Sequence, residues 1–526
     1  MTKNLTVGPP LRLIVLFTLP LLIGNLFQQL YSVTDAMVVG QVLGVDALAA
    51  VGASGSIQFL LFGFSFGASA GVAIPVARAF GSGDMVRLRR AVAASAVIGA
   101  GIAAAIMIAG LFGSRGLLVW MGTPAELLDN STIFLVVLAS GAAATVAFNF
   151  LSALIRALGD SRTPLIFLVI SCVLNAGLVI VFVGGLHLGV AGAAAATVVA
   201  QTISVILCLI LIARKMPELH LGRGDWRVSG ADLRESAELG LTMGFQMSVI
   251  AVGAAMLQYG INGLGTNAVA AFTAAMRVDQ VAVTPLASIG AGISTYVAQN
   301  RGAHQWQRIR VGVFRITMLA MAWAMATGLA ITAFGTNLVR LFVGPEETAV
   351  IAMAHQYLII NGLLYAILSV LFVVRNAIQG LGAAVVPTIA GFMELAARGT
   401  VGIVLIERIG FLGACLAAPL AWVGALIPLL ISWFWHRHQL LKDEAADLAF
   451  SDERLNEVLD GVASAEPITE PGLNCEPALD AGAPARRGGD GPLFCGEPEA
   501  GEAPASDGAA VTPAPVEPSI NLEPAG

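Results

Sequence analysis

GVDALAAVGASGSIQFLLFGFSFGASAGVAIPVARAFGSGDMVRLR (residues 44–89) recurs in altered form as GTNAVAAFTAAMRVDQVAVTPLASIGAGISTYVAQNRGAHQWQRIR (265–310), 221 positions later. The ungapped pair agrees at 12 of 46 positions, a count that an Ala- and Gly-rich composition inflates. The punctuation is more telling. Gly44 and Gly265 open the two segments, Val76-Ala77 and Val297-Ala298 close their apolar runs ahead of Gly81 and Gly302, and Arg87/Arg308 and Arg89/Arg310 follow. The same offset carries Gly189-x-x-Gly192-Ala193 onto Gly410-x-x-Gly413-Ala414, and after a slip of two residues Gly159 and Pro164 fall on Gly382 and Pro387. A period this long excludes a solenoid of short units. It describes two homologous halves, the common plan of a secondary transporter.

Composition places those halves in a membrane. The chain is 57% hydrophobic and 12% charged, with a mean hydropathy of +0.82, which excludes a soluble globular protein. Its net charge of −6 conceals a division: residues 1–442 carry 25 Lys/Arg against 16 Asp/Glu, and residues 443–526 carry 3 against 18. An apolar, mildly basic body is followed by an acidic tail.

Apolar stretches long enough to cross about 30 Å of hydrocarbon fall near 11–39, 47–77, 91–113, 131–155, 164–185 and 189–213. After the polar connector RKMPELHLGRGDWRVSGADLRESAE (214–238), six more fall near 239–263, 268–299, 311–334, 350–374, 387–406 and 411–435. The expectation is an all-α polytopic protein of twelve spans in two six-helix bundles, with an amino-terminal lobe at 1–213 and a carboxy-terminal lobe at 239–442. An even number per half makes both halves enter the membrane in the same direction, so the repeat is parallel, about a pseudo-twofold axis along the membrane normal. Nineteen Lys/Arg fall in loops on one side and three (Arg115, Arg340, Arg408) on the other, Arg375 being counted among the nineteen. Positive charge stays inside, so both termini are expected in the cytoplasm and the protein in the cytoplasmic membrane. Residues 443–526, rich in Pro, Ala, Gly and Glu, read as a disordered cytoplasmic tail with at most a short helix near 443–460.

The five cysteines have no metal or redox spacing and read as small apolar filler or tail residues. Ionisable groups inside spans are more informative, because each costs roughly 2.5–3.5 kcal/mol at a helix centre. Asp35 lies in the first span, Asp279 in the eighth and Glu394 in the eleventh, with Arg277 and Arg398 as intramembrane bases. Asp35 has no base within a turn, and Asn25, Gln28, Gln29 and Ser32 form a hydrophilic stripe on its helix, as if lining a water-filled cavity. Asn175 and Thr197 fall at a similar depth, so that amide and hydroxyl oxygens accompany the carboxylate in a plausible proton or hard-cation site; hydrogen bonding between helices is the plainer role for such residues. Glu394 and Arg398, four apart, read either as a self-neutralised pair or as an acid that meets a cationic substrate or proton. Asp279, two residues from Arg277 and so on a different face, is a candidate for a polar cavity in the second lobe.

Together GNLFQQLYSVTDAMVVGQVLGVDALAAVG (24–52), LIRALGDSRTP (154–164), GVAGAAAATVVAQ (189–201), LGTNAVAAFTAAMRVDQVAVTPLASIGAGISTYVAQNRGA (264–303) and IQGLGAAVVPTIAGFMELAAR (378–398) resemble the multidrug and toxic compound extrusion (MATE) family. The resemblance covers about 11–440 and omits the tail. It implies a V-shaped pair of six-helix bundles and exchange of hydrophobic or cationic drugs for H⁺ or Na⁺. It also implies that Asp35, Asn175 and Thr197 are the cation-coupling cluster and that Glu394 is the acid of an ELxxR-like segment. One position departs: related members carry an Asp four residues after the Asn, and here Val179 stands there. With one carboxylate instead of two, H⁺ is favoured over Na⁺ at Asp35.

The expected mechanism is alternating access around a central cavity whose candidate lining is Phe27, Gln28, Tyr31, Asn149, Met247 and Met256, with Asp279, Glu394 and Arg398. The expected partners are small organic molecules and the bilayer, with no nucleic acid, no cofactor beyond the coupling ion, and a monomeric state. A flippase for lipid-linked sugars would need a broad cationic groove, and few bases lie inside the spans. An intramembrane enzyme finds no support in the six scattered histidines, nor in any nucleophile or phosphate motif.

Overall fold

The computed structural model describes residues 4–344 and 346–464, which are almost entirely helical. The first half of the chain gives α1 (Pro10–Leu43), α2 (Val45–Ser82), α3 (Met85–Trp120), α4 (Ala125–Ser140), α5 (Ala142–Ala157), α6 (Arg162–Val179) and α7 (Gly189–Lys215). The second gives α8 (Gly230–Asn262), α9 (Thr266–Gly302), α10 (Trp306–Arg340), α11 (Thr348–Gly380), α12 (Val385–Ala396), α13 (Gly402–Ile409) and α14 (Phe411–Ser464). Eleven helical segments are each long and apolar enough to span a bilayer, and α4 with α5, bent by 53°, makes a twelfth. The bend falls at Gly141, which lies hard against Val198 of α7 where no side chain would fit.

The repeat read from sequence has a backbone counterpart. Gly44 and Gly265 turn the chain with φ of 87° and 91°, Gly159 and Gly382 with 80° and 77°, and Gly189 and Gly410 both with 62°. These are left-handed conformations that a Cβ disfavours, so the turns require glycine. At the fourth equivalent pair Gly83 (φ 73°) is answered by His304 (φ 55°), whose ring nitrogen meets Asp447 Oδ2 at 3.1 Å. The fifth span of each half also carries a π-helical stretch, Ile180–Gly185 and Ala397–Val401, a distortion frequent at functional sites.

Local capping sets the helix starts. Asp160 accepts from the amides of Arg162 and Thr163 at 3.0 Å and from the Thr163 hydroxyl at 2.7 Å. Ser229 Oγ accepts from the Asp232 amide and starts α8 at Gly230, so residues 230–238 of the expected connector are helix. Between the caps the helices are apolar on nearly every face, and large side chains such as Phe112 (85% exposed) and Trp120 (84%) point outward. Only lipid makes such a surface favourable.

One continuous cluster fills the second half, with Tyr296, Tyr357, Tyr365 and Trp422, and takes in Leu5, Ile14 and Phe17 of the first. The first half holds smaller clusters, one of them around Val39, Phe134, Val179 and Val183. A further cluster joins the halves, packing Ile74, Leu88 and Leu158 with Leu239, Met243 and Ala298. Its closest approach uses glycine: Gly67 and Gly71 of α2 rest on the backbone of α8 at Met243 and Leu239, and Gly240 and Gly244 of α8 face Val72 and Phe64. Small residues four apart on both partners let backbones touch, which is how helices associate where lipid supplies no hydrophobic force.

Both ends of the described chain meet one face of the bundle. Arg308 donates to the Gly8 carbonyl at 2.8 Å, and Trp306 Nε1 donates to Asp447 at 2.7 Å. The short helix allowed for near 443–460 is present as the end of α14, which runs on to Ser464 and is fastened by the Arg310–Glu444 and Trp306–Asp447 contacts. The rest of the expected tail, 465–526, lies outside the described residues. Arg375 departs from expectation. Counted as a loop arginine, it is buried in the helix bundle and paired with Glu394.

Candidate functional site

In the first half, α1 and α6 enclose a cavity of about 210 Å³ lined by Phe27, Tyr31 and Asp35 from α1 and by Cys172, Asn175 and Val179 from α6. Thr197 of α7 meets two of these lining residues. Its hydroxyl accepts from Asn175 Nδ2 at 3.0 Å, lies 3.3 Å from the Tyr31 hydroxyl and donates to the Ala193 carbonyl one turn earlier. Asp35 stands beside this network without joining it: its Oδ1 is buried and accepts no hydrogen bond. A buried carboxylate oxygen with no donor is costly. Of the three residues that the resemblance groups, Asp35 and Asn175 line the cavity and Thr197 is bonded to Asn175. The supporting tyrosine had been assigned to the central cavity.

The acids of the second half are held differently. Glu394 is 7% exposed and takes two guanidinium partners, Arg375 of α11 at 2.8 Å and Arg398 one helical turn on at 3.0 Å. Gly253 of α8 leaves room for the aliphatic stem of Arg398. Glu394 has no free face for a cationic substrate in this arrangement; both its oxygens are engaged. Asp279 accepts from the buried Tyr365 hydroxyl at 2.6 Å, and Arg398 is near enough to act on its charge. The second half thus contains two acids and two bases in one connected group, capped by a tyrosine.

The remaining cavity candidates are dispersed. Gln28 is exposed on α1, Asn149 of α5 approaches Ser65 of α2 at 3.5 Å, Met247 of α8 lies over Gly67 of α2, and Met256 lies over Gly399. The hydrophilic stripe of α1 is not wholly a cavity lining. Asn25 donates to Ser288 at 2.9 Å and Gln29 to Thr284 at 2.7 Å, joining α1 to α9 across the two halves. Arg375, Tyr365, Ser288 and Thr284 were missed by sequence reasoning. Tyr365 and Thr284 carry no distinguishing signal in an apolar run; Arg375 had one, an isolated base inside VLFVVRNAIQG (370–380).

Comparison with known proteins decides the family. A family model described as MatE matches residues 20–181 and again 243–400, one match on each half. The chain belongs to the MATE family of transporters. Among curated members of this group, the probable multidrug resistance protein YpnP of Bacillus subtilis (strain 168) is 29% identical over 382 residues, 72% of this chain and 84% of that protein. A protein named FAD transporter from Shewanella oneidensis is 24% identical over 385 residues, covering 70% of this chain and 81% of its own. Of the solved structures, a MATE in the bent conformation superposes with a TM-score of 0.78 at 21% identity, over 85% of this chain and 100% of that one. The twelve-helix MATE fold and a role in multidrug efflux follow for this chain.

Proposed function

We propose that this MATE transporter exports hydrophobic or cationic organic compounds in exchange for protons by alternating access, with Asp35 as the group that takes up and releases the coupling ion. The unpartnered Asp35 oxygen in the α1–α6 cavity carries this reading. Ionised, Asp35 favours a hydrated, open cavity. Protonated, it removes that charge and allows α1 to settle against α6. Drug and proton then favour different facings, which exchange requires, since a ligand that binds both states equally shifts neither. Na⁺ fits less well because hard cations gather several oxygens, and Val179 brings a methyl surface to the cavity wall.

The lobes at 1–213 and 239–442 move as the two halves of this machine about the 214–238 connector, in the cytoplasmic membrane with both termini in the cytoplasm, as a monomer. With the buried Arg375 removed from the count, eighteen bases against three support that orientation. The name of YpnP supports drugs as the substrate class, and the FAD transporter supplies the contrasting one, an anionic dinucleotide.

The test is flux in sealed vesicles, with a proton gradient and a Na⁺ gradient imposed separately, using a cationic dye and, in parallel, FAD. Dye movement driven by the proton gradient is expected, and Asp35→Asn is expected to abolish it with an unchanged size-exclusion profile. Undiminished flux in that variant at matched expression overturns the assignment. Movement of FAD without dye replaces the substrate class.

A further inference from the structure

Every side-chain hydrogen bond and ion pair that joins the two halves, among the described residues, lies in the half of the bundle that carries the chain ends or near its middle. Arg78 of α2 reaches Glu235 of α8 at 2.6 Å, and Arg87 of α3 reaches the other Glu235 oxygen at 3.3 Å. Gln299 of α9 donates through Nε2 to the Ala157 carbonyl at the end of α5, at 2.7 Å. Its Oε1 accepts from the Leu5 amide at 2.9 Å. Leu5 is 1% exposed, and Asn300 and Arg308 hold its carbonyl at 3.2 and 3.3 Å. The amino-terminal segment therefore runs beneath the seam. The Asn25–Ser288 and Gln29–Thr284 bonds mark where these bridges stop.

Two of the bridging residues are related by the repeat. Arg78 and Gln299 are 221 positions apart, as are Gly81 and Gly302. Gly81 rests on the backbone of Gln299, and Gly302 rests on the backbone of Arg78. Reciprocal contact between equivalent positions is the signature of a twofold interface, so the pseudo-twofold axis passes between α2 and α9 at this crossing. From it each half sends one long polar side chain into the other.

We infer that Arg78 and Gln299 are a pseudo-twofold-related pair of gate residues that hold the terminus-bearing side of the seam shut, with Glu235 as the acid that fastens the first of them. This rests on the alternating-access reading above, since it assigns these residues a role in one of its two facings. The two fasteners differ in kind. Arg78 makes an ion pair whose side chains are 18% and 30% exposed, whereas Gln299 makes neutral bonds to two backbone groups. They are positioning residues, and their loss changes which facing is populated.

The experiment replaces the five cysteines and introduces Ser288→Cys, a buried seam position on α9, then measures labelling by a membrane-impermeant maleimide from each side of the vesicle. Glu235→Gln and, separately, Gln299→Leu are expected to raise labelling from the terminus-bearing side about fivefold, and to lower it from the other side. Glu235→Asp, which keeps the acid, is expected to return it toward the parent. If parental labelling changes sides with dye or proton gradient while Glu235→Gln and Gln299→Leu leave it unaltered, the gate assignment falls and alternating access stands. If parental labelling never changes sides, alternating access falls first. Should Glu235→Gln misfold, Gln299→Leu decides alone, because it leaves no unpaired guanidinium in the seam.

Discussion

Glu394 and Asp35 are both carboxylates within spans, and their surroundings set them to opposite tasks. Glu394 lies between two guanidiniums. Removing it as Glu394→Ala leaves Arg375 and Arg398 facing each other in a buried site, a change expected to cost about 3–5 kcal/mol, measured as a fall in the thermal midpoint of the detergent-solubilised protein. Asp35→Asn is nearly isosteric and breaks no bond to Oδ1, so its midpoint is expected to stay near the parent's while coupled flux is lost. A third substitution addresses ion choice. Val179→Asp places a second carboxylate in the cavity wall beside Asn175 and Asp35, and dye flux is expected to become responsive to a Na⁺ gradient. Asp35, Asn175 and Thr197 were named from the sequence by the family resemblance, with depth counted along each helix giving only a similar level. Arg375 was not, because its partner is on another helix and the loop-charge rule claimed it first.

Helix pairs carry the contacts that no single residue explains. The α2–α8 seam depends on glycines with backbone beneath them, and Gly71→Leu would drive a side chain into Leu239 and Gly240. Overpacking of this kind costs about 1–3 kcal/mol in cores that can yield, and here the obstacle is main chain. The expected result is a protein that inserts but transports no dye, read by comparing membrane abundance with flux. The extension of α14 makes the opposite prediction. Truncation after residue 464 retains Glu444 and Asp447, and flux is expected to be unchanged; truncation after 442 removes both and leaves Arg310 and Trp306 without them. The shorter protein is expected to unfold at lower temperature than the longer one. Composition pointed to a solvated tail here, and an acidic stretch at the end of a span gives no sign that basic and aromatic groups on α10 will receive it.

The two halves differ in how they use a common plan. The first keeps a cavity open at a lone acid, and the second fills the corresponding region with a neutralised polar group. Both ends of the described chain lie on one face, so reporters fused at Asn4 and after Ser464 are expected on the same side of the membrane, the cytoplasmic one. Opposite placement would remove the parallel repeat. The number of crossings was determined by the chain alone, because hydropathy is summed along it and needs no partner. Only the folded molecule decided that Asn25 meets Ser288, that Glu394 meets Arg375, and that Arg78 and Gln299 fasten one seam. Those contacts join residues that are far apart in sequence or lie on different helices, and nothing local to either partner states which it will choose.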